Sequence, residues 1–208
     1  MNVANPAAEP ANSLSTGGFA PLRALKRIYH ATGRAYEHAL HRRRHLSASR
    51  RLSDAQRPRR ILVVCYGNIC RSPYLQAVLQ RSLPDVTVTS AGFVGSDRPV
   101  PQFSVALSAE RGLDLSRYRS RPITQTQVSD ADLVIVMDSG QATQIARMFR
   151  VNRERIVIAG DLEPKFETSR AIRDPWNESI EVFRSSFDRL DRCAASLVKI
   201  LRPRHSQA

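Results

Sequence analysis

Cys65 and Arg71 stand six positions apart in the run ILVVCYGNICRSP, residues 61–73. An ionised thiol is a strong nucleophile, and a guanidinium grips two oxygens of a tetrahedral oxyanion as a planar fork. The spacing predicts that both sit on a short loop. An apolar strand ends at Cys65 and a helix opens at Ser72 and Pro73, with Ser72 as N-cap and Pro73 as first helical residue. The backbone N–H groups of such a loop turn inward, and the helix dipole adds positive potential, which makes a cradle for a phosphate-like anion. Tyr66, Gly67, Asn68, Ile69, Cys70 and Ser72 would line it. Gly67 and Asn68 tolerate left-handed backbone. Cys65, set among these donors near Arg71, is in surroundings that favour a thiolate, and the Ser72 hydroxyl is placed to stabilise that sulfur when it leaves.

Cleavage of a phosphate ester also needs a proton for the departing oxygen. Asp138, Asp161, Glu163, Glu167 and Asp174 are all available in the later loops, and chemistry alone does not choose among them. Pro175 biases Asp174 toward extended backbone just before the last helix, a placement that projects a carboxyl out of a loop. Tyr66 and Trp176 are the best aromatic walls for a flat substrate. Cys70 is close enough in sequence to form a reversible disulfide that shields Cys65 from overoxidation, whereas Cys193 falls beside an apolar helical stripe and reads as core. The histidines are His30, His38, His41, His45 and His205. None lies between 46 and 204, so a Cys–His or Ser–His pair or a His-ligated metal is not expected there. The chemistry calls for no cofactor and no metal.

The elements that must hold these residues follow from hydrophobic pattern. Apolar strands are expected at Ile61 to Cys65, Val86 to Ser90, Asp132 to Met137 and Arg155 to Ala159, alternating with helices at Pro73 to Leu83, Gln102 to Arg111 and Ser139 to Phe149. Ile180, Phe183, Phe187, Leu190, Ala194, Leu197 and Leu201 form the apolar stripe of a last helix. This is the signature of an α/β fold with a parallel sheet covered by helices.

The 208 residues carry a net charge of +13. Residues 1–60 hold 12 Lys and Arg against 3 acids, so the excess belongs mainly to the amino-terminal part. Residues 1–18 read as a disordered leader. Residues 19–46 read as a basic amphipathic helix, with Leu22, Leu25, Tyr29, Tyr36 and Leu40 on its apolar face and a weak point at Thr32 and Gly33. Residues 47–59 read as a linker, and the domain proper as 60–202. Such a helix suits an acidic protein, an anionic membrane surface or docking on its own domain. Nucleic-acid recognition is not expected, because basic residues interleaved with aromatics are missing from the domain. With no secretory signal and no apolar run of membrane-spanning length, the chain reads as soluble and cytoplasmic.

CYGNICRSP resembles the signature of the low-molecular-weight protein tyrosine phosphatases: Cys, five residues, Arg, then Ser-Pro. The resemblance extends from residue 60 to about 202, through SAG at 90–92, GLDLS at 112–116, RSRPIT at 119–124 and Asp174-Pro175. It implies a four-stranded parallel sheet in the order 2-1-3-4, with the phosphate loop after the first strand. It also implies hydrolysis of phosphotyrosine through a phosphocysteine, with Cys65 as nucleophile, Arg71 as phosphoryl clamp and Asp174 as acid and then base. Asn68, Ser72 and Ser90 match the residues that brace the loop. The implied partners are tyrosine-phosphorylated proteins, a bacterial tyrosine kinase among them.

Several positions depart from that pattern. Tyr118 stands where many members have a His, Trp176 where tyrosine is common, and SAGFVGSDRP is shorter than the usual loop that adds an aromatic wall. Ile69 occupies the position where the related arginine phosphatases carry Thr, and so favours phosphotyrosine. A thioredoxin-linked arsenate reductase is the enzymatic alternative, but the chain lacks that group's downstream cysteine pair. A membrane- or anion-binding protein dominated by its basic leader is the other alternative.

Overall fold

The computed structural model describes residues 20–202, with side chains from Tyr36 onward. The disorder expected for residues 1–18 and the apolar face expected at Leu22, Leu25 and Tyr29 lie outside what it describes. Four strands, β1 (Arg60–Cys65), β2 (Thr87–Gly92), β3 (Leu133–Val136) and β4 (Ile156–Ile158), form one parallel sheet in the order β2-β1-β3-β4. The expected topology is therefore the observed one. Six helices accompany it: α1 (Ala20–Asp54), α2 (Arg71–Ser82), α3 (Gln102–Ala109), α4 (Gln125–Asp130), α5 (Ser139–Met148) and α6 (Ile180–Leu201).

The sheet is apolar on both sides, as parallel sheets are, and alternate residues of β1 feed two cores. Ile61, Val63 and Cys65 point to the side packed by α2 and α6, where Tyr74 stacks on Phe187 with ring centroids 3.8 Å apart. Leu62 and Val64 point to the side packed by Val128 of α4 and Ala142 and Ile145 of α5. Because β1 is central, its carboxyl end opens between these layers, where open parallel sheets bind ligands.

The strand and helix ends differ from the sequence-based bounds by one or two residues, with two larger corrections. Helix α4 is not among the elements expected from the hydrophobic pattern, although Thr124 and Gln127 form a reciprocal capping box at its start. The linker expected at 47–59 is also wrong over most of its length. Helix α1 runs on to Asp54, because Ala48 and Leu52, one turn apart, are buried in the core on the α2 and α6 side and Arg51 donates to the Ile156 carbonyl of edge strand β4 at 3.1 Å. Tertiary burial holds this polar-looking stretch helical. Only residues 55–59 remain as a connection.

The compact body accordingly takes in residues from His38 onward. His38 stacks on Phe166 with centroids 3.7 Å apart, and His45 Nδ1 lies 3.1 Å from the Asp161 carbonyl. Three histidines thus belong to the folded body, but none lines the cavity at Cys65. No helix among the described residues is long and apolar enough to cross a membrane.

Candidate active site

The loop from Tyr66 to Cys70 turns directly from β1 into α2, whose first helical residue is Arg71. Cys70, not Ser72, occupies the N-cap position and caps nothing with its side chain. Ser72 instead faces inward: its hydroxyl donates to Cys65 Sγ at 3.1 Å. The Asn68 backbone N–H donates to the same sulfur at 3.2 Å. Two hydrogen bonds and the amino terminus of α2 therefore converge on Cys65, an environment that stabilises negative sulfur.

Asn68 alone takes the left-handed conformation, with φ 51°; Gly67, expected to share it, does not. The Asn68 side chain is fully buried and uses its entire hydrogen-bonding capacity. Its Nδ2 donates to Ser72 Oγ at 2.9 Å and Ser90 Oγ at 3.0 Å. Its Oδ1 accepts from Tyr118 OH at 2.9 Å and the Arg121 N–H at 2.8 Å. Tyr118 OH also lies 2.7 Å from Ser90 Oγ, and burial raises its pKa, so it stays a protonated donor. The departure at Tyr118 thus completes the brace. Gly92 is required beside it, because a Cβ there would come within 2.9 Å of Asn68 and of the Tyr66 carbonyl.

Arg71 is 4% exposed. Its Nη1 donates to the Ile172 carbonyl at 2.9 Å, its Nη2 pairs with Asp174, and its Nε has no partner among the described residues. Of the five carboxylates, Asp174 alone lines the cavity above Cys65. Asp138 accepts from Gln141 at the start of α5, Asp161 binds Arg170, and Glu163 and Glu167 pair with Arg192. The Asp174 Oδ1 accepts from the Trp176 N–H at 3.3 Å, which holds the carboxyl where the chain bends into Trp176.

The cavity has a volume of about 110 Å³. Tyr66 and Trp176, 55% and 49% exposed, flank its mouth, and Ile69 and Val94 add apolar surface. Val94, on the short loop after β2, gives that side of the cavity an aliphatic wall. Arg98 also lines this cavity and went unnoticed in the sequence, since nothing in its spacing relates it to Cys65. Its Nη2 donates to the Gly67 carbonyl at 2.7 Å and the Val94 carbonyl at 2.9 Å, tying the two loops together.

Cys70 is buried, and its thiol is pushed up to about 12, first by burial and then by the neighbouring Cys65. Both are free thiols. Cys193 is buried in the core, as its place on the helical stripe predicts.

The geometry agrees with the comparisons to known proteins. The family described as low molecular weight phosphotyrosine protein phosphatase matches residues 60–207. A probable low molecular weight protein-tyrosine-phosphatase, EpsP, from Ralstonia nicotianae is 38% identical over 133 residues, which span 64% of this chain and 88% of that protein. The crystal structure of the tyrosine phosphatase amsI from Erwinia amylovora superposes with a TM-score of 0.66 at 26% identity, over 72% of this chain and 97% of that one. The YwlE arginine phosphatase from Geobacillus stearothermophilus superposes with a TM-score of 0.62 at 29% identity, over 68% of this chain and 92% of that one. With its phosphate loop, brace and sheet order in place, the chain belongs to the low molecular weight phosphotyrosine protein phosphatase family.

Proposed function

We propose that the protein hydrolyses phosphotyrosine on proteins through a phosphocysteine intermediate. The observation that carries this reading is a sulfur, Cys65 Sγ, hydrogen-bonded by Asn68 and Ser72 at the floor of a cavity that also holds Asp174 paired with Arg71. The phosphoryl group of the substrate enters the cradle, and its oxygens take over the Arg71 guanidinium, which frees the Asp174 carboxylate to pick up a proton from solvent and face the ester oxygen. Cys65 Sγ attacks phosphorus while the bond to the phenolic oxygen breaks, and Asp174 gives that oxygen its proton. Water then attacks the phosphocysteine. Asp174 accepts the proton from that water, and phosphate departs as Ser72 and Asn68 stabilise the returning thiolate.

The aromatic faces of Tyr66 and Trp176 suit a phenyl ring. Arg98 on the same wall opposes the cationic guanidinium of a phosphoarginine, and Ile69 offers it no hydroxyl. Cys70 is the candidate resolving thiol: oxidation of Cys65 removes the neighbouring negative sulfur that helps to hold Cys70 protonated.

The test is turnover of phosphotyrosine, phosphoserine, phosphoarginine and arsenate by the purified protein. Phosphotyrosine should be hydrolysed fastest. Faster hydrolysis of phosphoarginine, or reduction of arsenate in preference to any hydrolysis, would overturn the assignment.

A further inference from the structure

We propose that the cleft between the carboxyl-terminal half of α1 and the β4 edge binds a small, multiply charged phosphate-bearing anion. The cleft is separate from the Cys65 cavity and has a volume of about 470 Å³, within the roughly 300–1,000 Å³ typical of small-molecule sites. Five arginines line it: Arg43, Arg44 and Arg51 from α1, Arg153 from the turn before β4, and Arg170 from the loop that leads to Asp174. Two carboxylates also line it. Asp161 is consumed by Arg170, which binds it through two hydrogen bonds of 2.8 and 2.6 Å. Glu154 is exposed and accepts from Asn152 at 3.2 Å.

Among the described residues, Arg43, Arg44, Arg51 and Arg153 have no carboxylate partner. Arg51 is anchored by one hydrogen bond to Ile156, but its Nε is buried with no partner. Guanidiniums facing one another across a partly desolvated cleft repel. The fold nonetheless positions them there by burying Ala48 and Leu52 of the same helix. An anion with several oxygens relieves that repulsion and satisfies the forks, and oligophosphate chemistry fits it best, because each guanidinium can take two oxygens.

Arg44 and Arg51 are half-buried within the concavity and Arg43 and Arg153 are exposed on it, an arrangement that suits a compact ligand rather than a flat lipid surface. The floor adds apolar contacts from Ile156 and Ile158, which suit the body of a phosphorylated metabolite. This site lies outside the family signature, since three of its arginines precede residue 60, where the family match begins. It does not depend on the proposed phosphatase chemistry.

Isothermal titration of the full chain with tripolyphosphate tests the proposal. The catalytic cradle also binds phosphates, so a Cys65→Ser/Arg71→Ala variant isolates the cleft, and it should retain one binding event. Adding Arg43→Gln and Arg153→Gln, both exposed residues, should weaken that event about tenfold for each arginine removed, about 100-fold together. Adding Arg117→Gln and Arg202→Gln instead should leave it unchanged. In the otherwise wild-type chain, Arg43→Gln/Arg153→Gln should keep full aryl phosphate turnover and an unaltered circular dichroism spectrum, showing that the fold survives. Loss of all binding with the Cys65→Ser/Arg71→Ala variant would overturn the proposal. So would equal weakening by the distant pair, which would reveal diffuse charge rather than a site.

Discussion

Cys65 ends the central strand and Cys70 precedes α2, so the two thiols bound one phosphate loop and both line the same small cavity. They share burial, yet they meet different partners. Cys65 receives hydrogen bonds from Asn68 and Ser72. Cys70, its thiol pushed up to about 12, has burial, the Cys65 sulfur and the Asp174 carboxyl all acting against its anion, with only Ser104 and Arg71 in its favour. Burial suppresses a thiolate at Cys70, whereas at Cys65 two donors are aimed at the sulfur. Only four residues, Tyr66 to Ile69, separate the two thiols, yet the Asn68 and Ser72 donors converge on Cys65.

The strongest way to break this contrast is Cys65→Ser. The variant should lose all measurable turnover of phosphotyrosine while still binding inorganic phosphate, because the Arg71 clamp that such binding requires remains. Full activity would transfer the nucleophile elsewhere. Chemical labelling sharpens the contrast next. With a thiol near 12, only about one Cys70 in 10⁵ is ionised at pH 7, so brief iodoacetate treatment should modify Cys65 and leave Cys70 unmodified by peptide mass spectrometry. Equal labelling would remove the electrostatic distinction.

Asp174→Asn tests the proton side of the same cavity. Turnover of phosphotyrosine should fall by roughly 10²- to 10⁴-fold, the usual contribution of general acid catalysis, and less for a nitrophenyl ester whose leaving group needs no proton. If Asp161→Asn or Glu163→Gln reproduces this pattern and Asp174→Asn does not, the carboxyl at the cavity is a helix-entry contact only. The smallest effect belongs to the brace. Tyr118→Phe removes the donor to Asn68 Oδ1 and should cost about 1–3 kcal/mol in thermal or denaturant unfolding, with the Cys65 chemistry slowed but not abolished. Tyr118→His, which restores a donor, should recover part of the loss.

Much of this was readable from residue types. Five apolar residues ending at Cys65 and a Pro three residues into α2 announce a strand, a loop and a helix. The covalent adjacency of those elements brings Cys65, Asn68, Arg71 and Ser72 together without help from the rest of the chain. The stripe of α6 was equally clear, because one face of 22 residues repeats at helical spacing. Residues 47–54 were illegible for the opposite reason. Their helicity depends on burying Ala48 and Leu52 against elements more than a hundred positions away, and their arginines disguise that face.

The sequence by itself determined the local chemistry: a thiol, a guanidinium and inward N–H groups on one short turn, held between strand and helix by short-range geometry. Only the tertiary structure decided which of five carboxylates meets that turn. It also turned Tyr118 into a brace, brought Arg98 onto the cavity wall and placed the arginines of α1 beside β4. Each of those outcomes depends on packing between segments distant in sequence, and pairwise proximity across a sheet leaves no mark on the spacing of residues along the chain.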